Sequence, residues 1–125
     1  MNKENIAIAH TWIQNCASAY SFGNTSIEAE STWWAYEKLE QLIDQNPQRA
    51  FEVILEILKL ADEERVLDNL AAGPLETLLV KNGDKVIEDV VYWAKNNTKF
   101  FELLRGVWGN SIDERIWSKI KRIYQ

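Results

Sequence analysis

Apolar residues in this chain recur three and four positions apart, and no long periodic segment alternates apolar with polar. That spacing gathers side chains on one stripe of an α-helix and gives a β-strand no face to bury. An all-α fold is therefore expected. A first helix is predicted from about Asn5 to Tyr20, with Ile6, Ala9, Ile13 and Cys16 or Ala17 along its inner face. Ser21-Phe22-Gly23-Asn24 breaks it, and Thr25 with Glu28 offers a capping box for the second. The second helix runs to about Asn46 on the stripe Ala35, Tyr36, Leu39, Leu42 and Ile43. Pro47 suits the first position of a third helix, about Gln48 to Ala61, whose wide apolar face implies a central, covered element. A fourth starts near Glu63 with Val66, Leu67, Leu70 and Ala71. Asn82-Gly83 reads as a C-cap, followed by a fifth helix from about Lys85 to Asn96. Thr98 is placed to cap a sixth carrying Phe100, Leu103, Leu104, Val107 and Trp108. A seventh carries Ile116, Ile120 and Ile123.

The links between these segments are only a few residues long, which sets successive helices side by side and antiparallel. The prediction is one compact array of six to eight short helices, a bundle or short stack, over residues 1–125 as a single domain. A chain of 125 residues can bury about two thirds of its unfolded surface, so it needs no staple. No clean repeat of a solenoid and no low-complexity linker interrupts it.

One stretch works against the pattern. Gly73-Pro74 stands inside Leu70-Ala71-Ala72-Gly73-Pro74-Leu75-Glu76. Proline lacks an N–H and clashes with the preceding turn, and glycine reaches backbone angles closed to other residues. Two helices meeting at an angle are expected, with Ala71-Ala72 allowing a close approach at the corner. Yet Leu67, Leu70, Ala71, Pro74 and Leu78 keep helical phase across the break, as they would in a single kinked helix. The motif reads as a structural corner rather than a binding site.

That stretch, followed by Leu78-Leu79, resembles the signature of a small all-helical bacterial family of unknown function. The layout around it is similar too: Trp33 or Trp34 before Tyr36-Glu37, an aliphatic helix after Pro47, then Phe100, Leu104 and Val107-Trp108. The likeness covers the chain from about residue 30, and only Ala-Gly-Pro-Leu-Glu is specific. It implies an all-helical fold and brings no activity. Members look like the small, acidic, helical proteins found beside secreted toxins, an association rather than a mechanism.

Charge narrows the function classes. The net charge is −5. Residues 28–68 hold eleven carboxylates and four cations, a local charge of −7, whereas residues 69–125 hold seven and nine, or +2. Such an acidic segment repels phosphate backbones and steers basic proteins, so a protein partner is expected and nucleic acid is not. Arg115, Lys119, Lys121 and Arg122 make the last helix basic, but positive charge near a helix C-terminus is ordinary, and Trp117 and Tyr124 fit core edges. One cysteine, Cys16, excludes an internal disulfide and a cysteine zinc cage. The amino terminus leads into a mixed polar stretch, and no run reaches the length of a membrane span. A cytoplasmic protein off the membrane is expected, without cofactor or metal; a homodimer is allowed but not required.

No catalytic pattern stands out. His10 and Cys16, six residues apart, do not share a helical face; His10 reads as a surface residue and Cys16 as a small buried one. Metal, phosphate-loop and nucleophile-elbow motifs are missing, and a carboxylate-pair enzyme survives only because acids are plentiful. The informative stretch is Ser31-Thr32-Trp33-Trp34-Ala35-Tyr36-Glu37. Neighbouring helical residues point about 100° apart. With Leu39, Leu42 and Ile43 inward, Trp33 falls in line with Glu37, Glu40 and Asp44, and Trp34 lies nearly opposite the core. The plainer reading is solvated surface. The functional reading is a contact face of Trp33, Trp34, Glu37, Glu40 and Asp44 for a basic protein. With the family likeness, the expected role is an immunity protein that occludes a toxin; the alternative is a scaffold or adaptor without a toxin partner.

Overall fold

Asn46 and Asn97 begin two helices of the computed structural model in the same way. The side-chain oxygen of Asn46 accepts the N–H of Arg49 at 3.3 Å, and that of Asn97 accepts the N–H of Phe100 at 2.9 Å. Each bond satisfies an amide donor that a helix N-terminus leaves without an internal partner. Asn97, not the expected Thr98, is the cap, because its backbone is the one still extended. Pro47 holds the first position of its helix, as expected. Asp113 caps the last helix through the N–H of Arg115 at 2.9 Å.

The structure describes residues 2–22 and 27–125, and of residues 18–22 and 28 the backbone alone. Among them lie α1 (Lys3–Phe22), α2 (Ile27–Gln45), α3 (Pro47–Leu60), α4 (Glu64–Leu70), a π turn (Ala71–Leu75), α5 (Glu76–Asn96), α6 (Thr98–Leu104) and α7 (Glu114–Ile123). The expected all-α array is the fold. The predicted capping box at Thr25 and Glu28 lies outside the described residues.

α3 is the hub, as its wide apolar face implied. It packs against α1, α2, α4, α5, α6 and the π turn. Phe51, Val53, Ile54, Ile57 and Leu58 are all buried in one contiguous cluster that runs from Ile8 to Ile120. Phe51 meets Phe100 of α6 edge to face, ring centroids 5.6 Å apart. Lys99 donates to the carbonyl of Ala61 at 2.7 Å, covering an acceptor that the end of α3 leaves open.

α1 presents a different face from the expected one. Asn5, Ile8, Ala9, Trp12 and Asn15 are buried, while Ile6, Ile13 and Cys16 flank the core and Ala17 is exposed. Two asparagines turn the helix inward because both find partners there. Arg49 Nε donates to Asn5 Oδ1 at 3.0 Å, and Asn5 Nδ2 donates to Glu52 Oε2 at 3.3 Å. Asn15 Nδ2 donates to the carbonyl of Ala29 at 2.9 Å and to Thr32 Oγ1 at 3.2 Å. A buried amide with its bonds made loses little, so an apolar count alone misplaces the stripe.

Two helical segments of α5 meet at a kink at Asn82-Gly83, where a helix end was expected: Asn82 leaves helical angles (φ −142°, ψ 34°) and the second segment follows without a loop. The kink is held by Asn82 Nδ2, which donates to the carbonyl of Ile43 at 2.8 Å. A Cβ at Gly83 would stand 3.1 Å from Ile116 Cγ2, so the glycine admits α7. α6 stops at Leu104 instead of reaching Trp108: Val107 is buried, but Trp108 is 69% exposed. Gly109 then presses its backbone against the indole of Trp117, leaving no space for a Cβ. Gly109→Ala is expected to destabilise the chain by about 1–3 kcal/mol through overpacking, a drop that urea titration would register.

Tyr124 ties the carboxyl end to α6. Its hydroxyl donates to the carbonyl of Phe101 at 2.8 Å, and its ring tilts on that of Phe101 at 4.6 Å. Burial pushes the phenol up to about 12. Folding thus favours the protonated form, so its contribution is complete below pH about 10, the ordinary value, and is lost as pH rises through about 12. The stability advantage of the wild type over Tyr124→Phe is expected to shrink across that window. A constant difference from neutral to strongly alkaline pH would contradict it.

Candidate binding site

At Pro74 the chain must satisfy two conflicting demands. The residue has no N–H for the carbonyl four positions back, and its ring would strike that carbonyl in an ordinary helix. The backbone does not break, however. Leu70, Ala71, Leu75 and Glu76 all keep right-handed helical angles. The turn widens instead, and the N–H of Glu76 reaches the carbonyl of Ala71, five residues back. The two helices expected at an angle are therefore one helical path with a π turn, the arrangement that the unbroken apolar phase of Leu70, Ala71, Pro74 and Leu78 allowed. Of the small pair, Ala71 does admit a neighbour: a Cβ at Gly106 would lie 2.9 Å from its own. Ala72 faces outward.

The π turn forms one wall of a cleft of about 930 Å³ between α1, α2 and the start of α5. Gly73, Pro74 and Thr77 stand on that wall. Trp12, Asn15 and Cys16 contribute from α1, and Glu30, Trp33, Tyr36 and Glu40 from α2. Gly73 needs neither of the usual excuses for a glycine. Its φ lies outside the left-handed region, and an added Cβ would meet no atom within 4 Å. Its missing side chain widens the cleft.

On the opposite wall Trp33 stacks on Tyr36, ring centroids 4.4 Å apart and planes within 21°. Trp33 remains 45% exposed. Burial pushes the Glu40 carboxyl above the usual carboxylate range, opposed by Lys81 and assisted by Asp44. Burial, and then the charge of Glu40, pushes the Tyr36 phenol up as well. Cys16 accepts a hydrogen bond from Asn69 Nδ2 at 3.2 Å, yet burial dominates and holds its thiol above the ordinary value. A thiol held protonated is a poor nucleophile.

The five residues singled out by sequence divide. Trp33 and Glu40 line the cleft. Asp44 continues their line along α2 but forms an ion pair with Lys81 at 3.1 Å. Glu37 and Trp34 are exposed, the latter at 48%, and neither lines the cleft. Glu30, Tyr36, Gly73 and Pro74 were not picked as contact residues. For the first two a signal existed: Glu30, Trp33, Tyr36 and Glu40 recur at three- and four-residue steps, one side of a helix. For Gly73 and Pro74 none did, because their facing α2 is a tertiary fact.

The basic end of the fold lies elsewhere. Lys95, Lys119 and Arg122 surround a groove of about 420 Å³ over Ile87, Val91 and Ile123, with Glu88 among them. Trp117 of α7 turns to Gly109 and Tyr124, just after it, to Phe101, and both rings are partly buried against the core. His10 is exposed, as expected. Among the described residues no three His, Cys, Asp or Glu side chains gather to hold a metal ion, and no helix is long and apolar enough to cross a membrane.

Filling the cleft wall is expected to help the fold. Gly73→Ala should raise stability by about 0.4–1 kcal/mol, because the unfolded chain loses freedom and the folded chain gains no clash. A loss of stability in thermal melts would mean that the π turn requires glycine.

No curated protein and no solved structure matches the chain. The sequence profile of a family of unknown function, DUF6869, matches residues 23–125.

Proposed function

The chain thus belongs to a family without an assigned activity, and we propose that it is a non-catalytic protein-binding module, an immunity protein that occludes a basic bacterial toxin in the cytoplasm. The observation that carries this reading is the α2 wall of the cleft. There a half-exposed Trp33 is braced by Tyr36, with Glu30 and Glu40 alongside, on a segment whose net charge is −7. Rigid aromatic anchors in a cleft make binding hot spots, and surrounding acids steer a basic partner into register. Glu37, exposed on the same helix, widens the acidic field. The toxin itself is suggested by the likeness to small acidic proteins that accompany secreted toxins.

Acid–base catalysis would need a second group poised against Glu40. Its charged neighbours, Lys81 and Asp44, are paired with each other. That favours binding over the carboxylate-enzyme reading.

The test is to express the product of each neighbouring reading frame with and without this chain. One product should arrest growth alone, be tolerated in company, and co-elute with the chain at one to one. If no neighbour is both toxic and bound, the immunity role falls. With that partner in hand, the double charge reversal Glu37→Lys and Glu40→Lys should slow association roughly tenfold at low salt and flatten its salt dependence. Kinetics identical to wild type would remove the α2 face from the interface.

A further inference from the structure

Resting on that protein-binding reading, we propose that the cleft receives an arginine side chain of the partner, its guanidinium against the Trp33–Tyr36 stack and its charge met by Glu40 and Glu30.

The fold already contains this arrangement once, made from its own residues. At the far end Phe101 and Tyr124 pack ring on ring, and the guanidinium of Arg105 lies 5.0 Å and 5.2 Å from their centroids. Glu102 stands 3.9 Å from Arg105 Nε. That group has three components: two packed rings, one guanidinium and one carboxylate. The cleft supplies two of them, the Trp33–Tyr36 pair and the carboxylates, while the described residues lining it include no cation. Lys81, whose charge reaches Glu40, is paired with Asp44 at 3.1 Å.

Arginine fits better than lysine for three reasons. The two rings are stacked nearly parallel, which leaves each with one face that the other does not cover, and a planar guanidinium stacks on such a face where a round ammonium makes only a point contact. Guanidinium is also the more weakly hydrated cation, which suits a cleft walled by Trp12 and Pro74. Finally, its fork can bind a carboxylate through two parallel N–H bonds. Room is provided at Gly73, where nothing lies within 4 Å of a Cβ. A cleft of about 930 Å³ exceeds one side chain, so the arginine enters as part of a chain segment.

The experiment is a heteronuclear NMR titration of the full chain with three blocked tripeptides, Gly-Arg-Gly, Gly-Lys-Gly and Gly-citrulline-Gly, the last a neutral near-isostere of the first. Arginine amide serves as a fourth probe. Gly-Arg-Gly should shift the Trp33 indole N–H and the Gly73 amide saturably, at least about tenfold more tightly than the lysine and citrulline peptides. Glu40→Gln and Trp33→Leu should each weaken it by about tenfold or more. Gly73→Leu should abolish it with the rest of the spectrum unchanged, and Glu40→Gln decides the matter if that variant does not fold. Equal binding of the lysine or citrulline peptide would overturn the proposal, as would shifts confined to another surface or the absence of saturable shifts. Arginine amide binding more tightly than the tripeptide would overturn the assignment to a protein segment. Its failure is separable from that of the proposed function. A toxin neutralised equally well by all three variants sinks the arginine site alone, whereas a functioning arginine site with no toxic, binding neighbour sinks the immunity role alone.

Discussion

The constraint on which the site depends is the hydrogen that Pro74 lacks. An ordinary helical turn there would drive a pyrrolidine ring into a carbonyl, and a break would separate Leu70, Ala71 and Pro74 from Leu75 and Leu78, all of which the core buries. The π turn is the solution that keeps both. Adding a residue to the turn lets α4 and α5 run on as one path, so the apolar phase survives. Gly73 and Pro74 line the cleft together with Trp33 and Tyr36 of α2.

The charges follow a complementary logic. Three ion pairs lie around the acidic segment: Arg49 with Glu4 at 2.8 Å, Lys81 with Asp44 at 3.1 Å, and Lys99 with Asp62 at 3.5 Å. Such exposed pairs contribute little to stability. Their larger effect is spatial. They neutralise acids on α1, at the end of α2 and just after α3, whereas Glu30 and Glu40 line the cleft with no cation among its described lining residues. Half-burial of Glu40 raises its carboxyl, an electrostatic cost that a cation arriving in the cleft would offset.

How much of this was legible beforehand depended on whether the information was local. Periodicity is local, and it identified the all-α fold, the central α3 and the Trp33–Glu40 side of α2. Asn46 and Asn97 show its limit, since both Asn97 and Thr98 have the chemistry of a cap and only the backbone angle distinguishes them. α1 was read about one residue out of phase because Asn5 and Asn15 looked polar, while their partners Arg49, Glu52 and Ala29 lie 14 to 47 residues away. The same blindness hid the cleft. Gly73 and Pro74 were read as a corner from their own conformational habits, and those habits were right as far as they went. What faces a corner is decided by the packing of α1, α2 and the π turn, which no local pattern encodes.

The two aromatic pairs bring these strands together. Phe101–Tyr124 and Trp33–Tyr36 use the same chemistry on different helices, and they differ in what lies next to them. The first is covered by Arg105 and anchored by a hydroxyl bond to a backbone carbonyl, so its interactions are complete within the chain. The second is held on one helix, half-exposed, across from a glycine that neither backbone angle nor packing demands. A Cβ at Gly73 would meet no atom within 4 Å, and the cation that acts on Glu40, Lys81, is shared with Asp44. Leaving Gly73 bare keeps a shaped, acidic, aromatic surface open. An open aromatic and acidic wall between α2 and the π turn is the kind of surface that the proposed binding role requires.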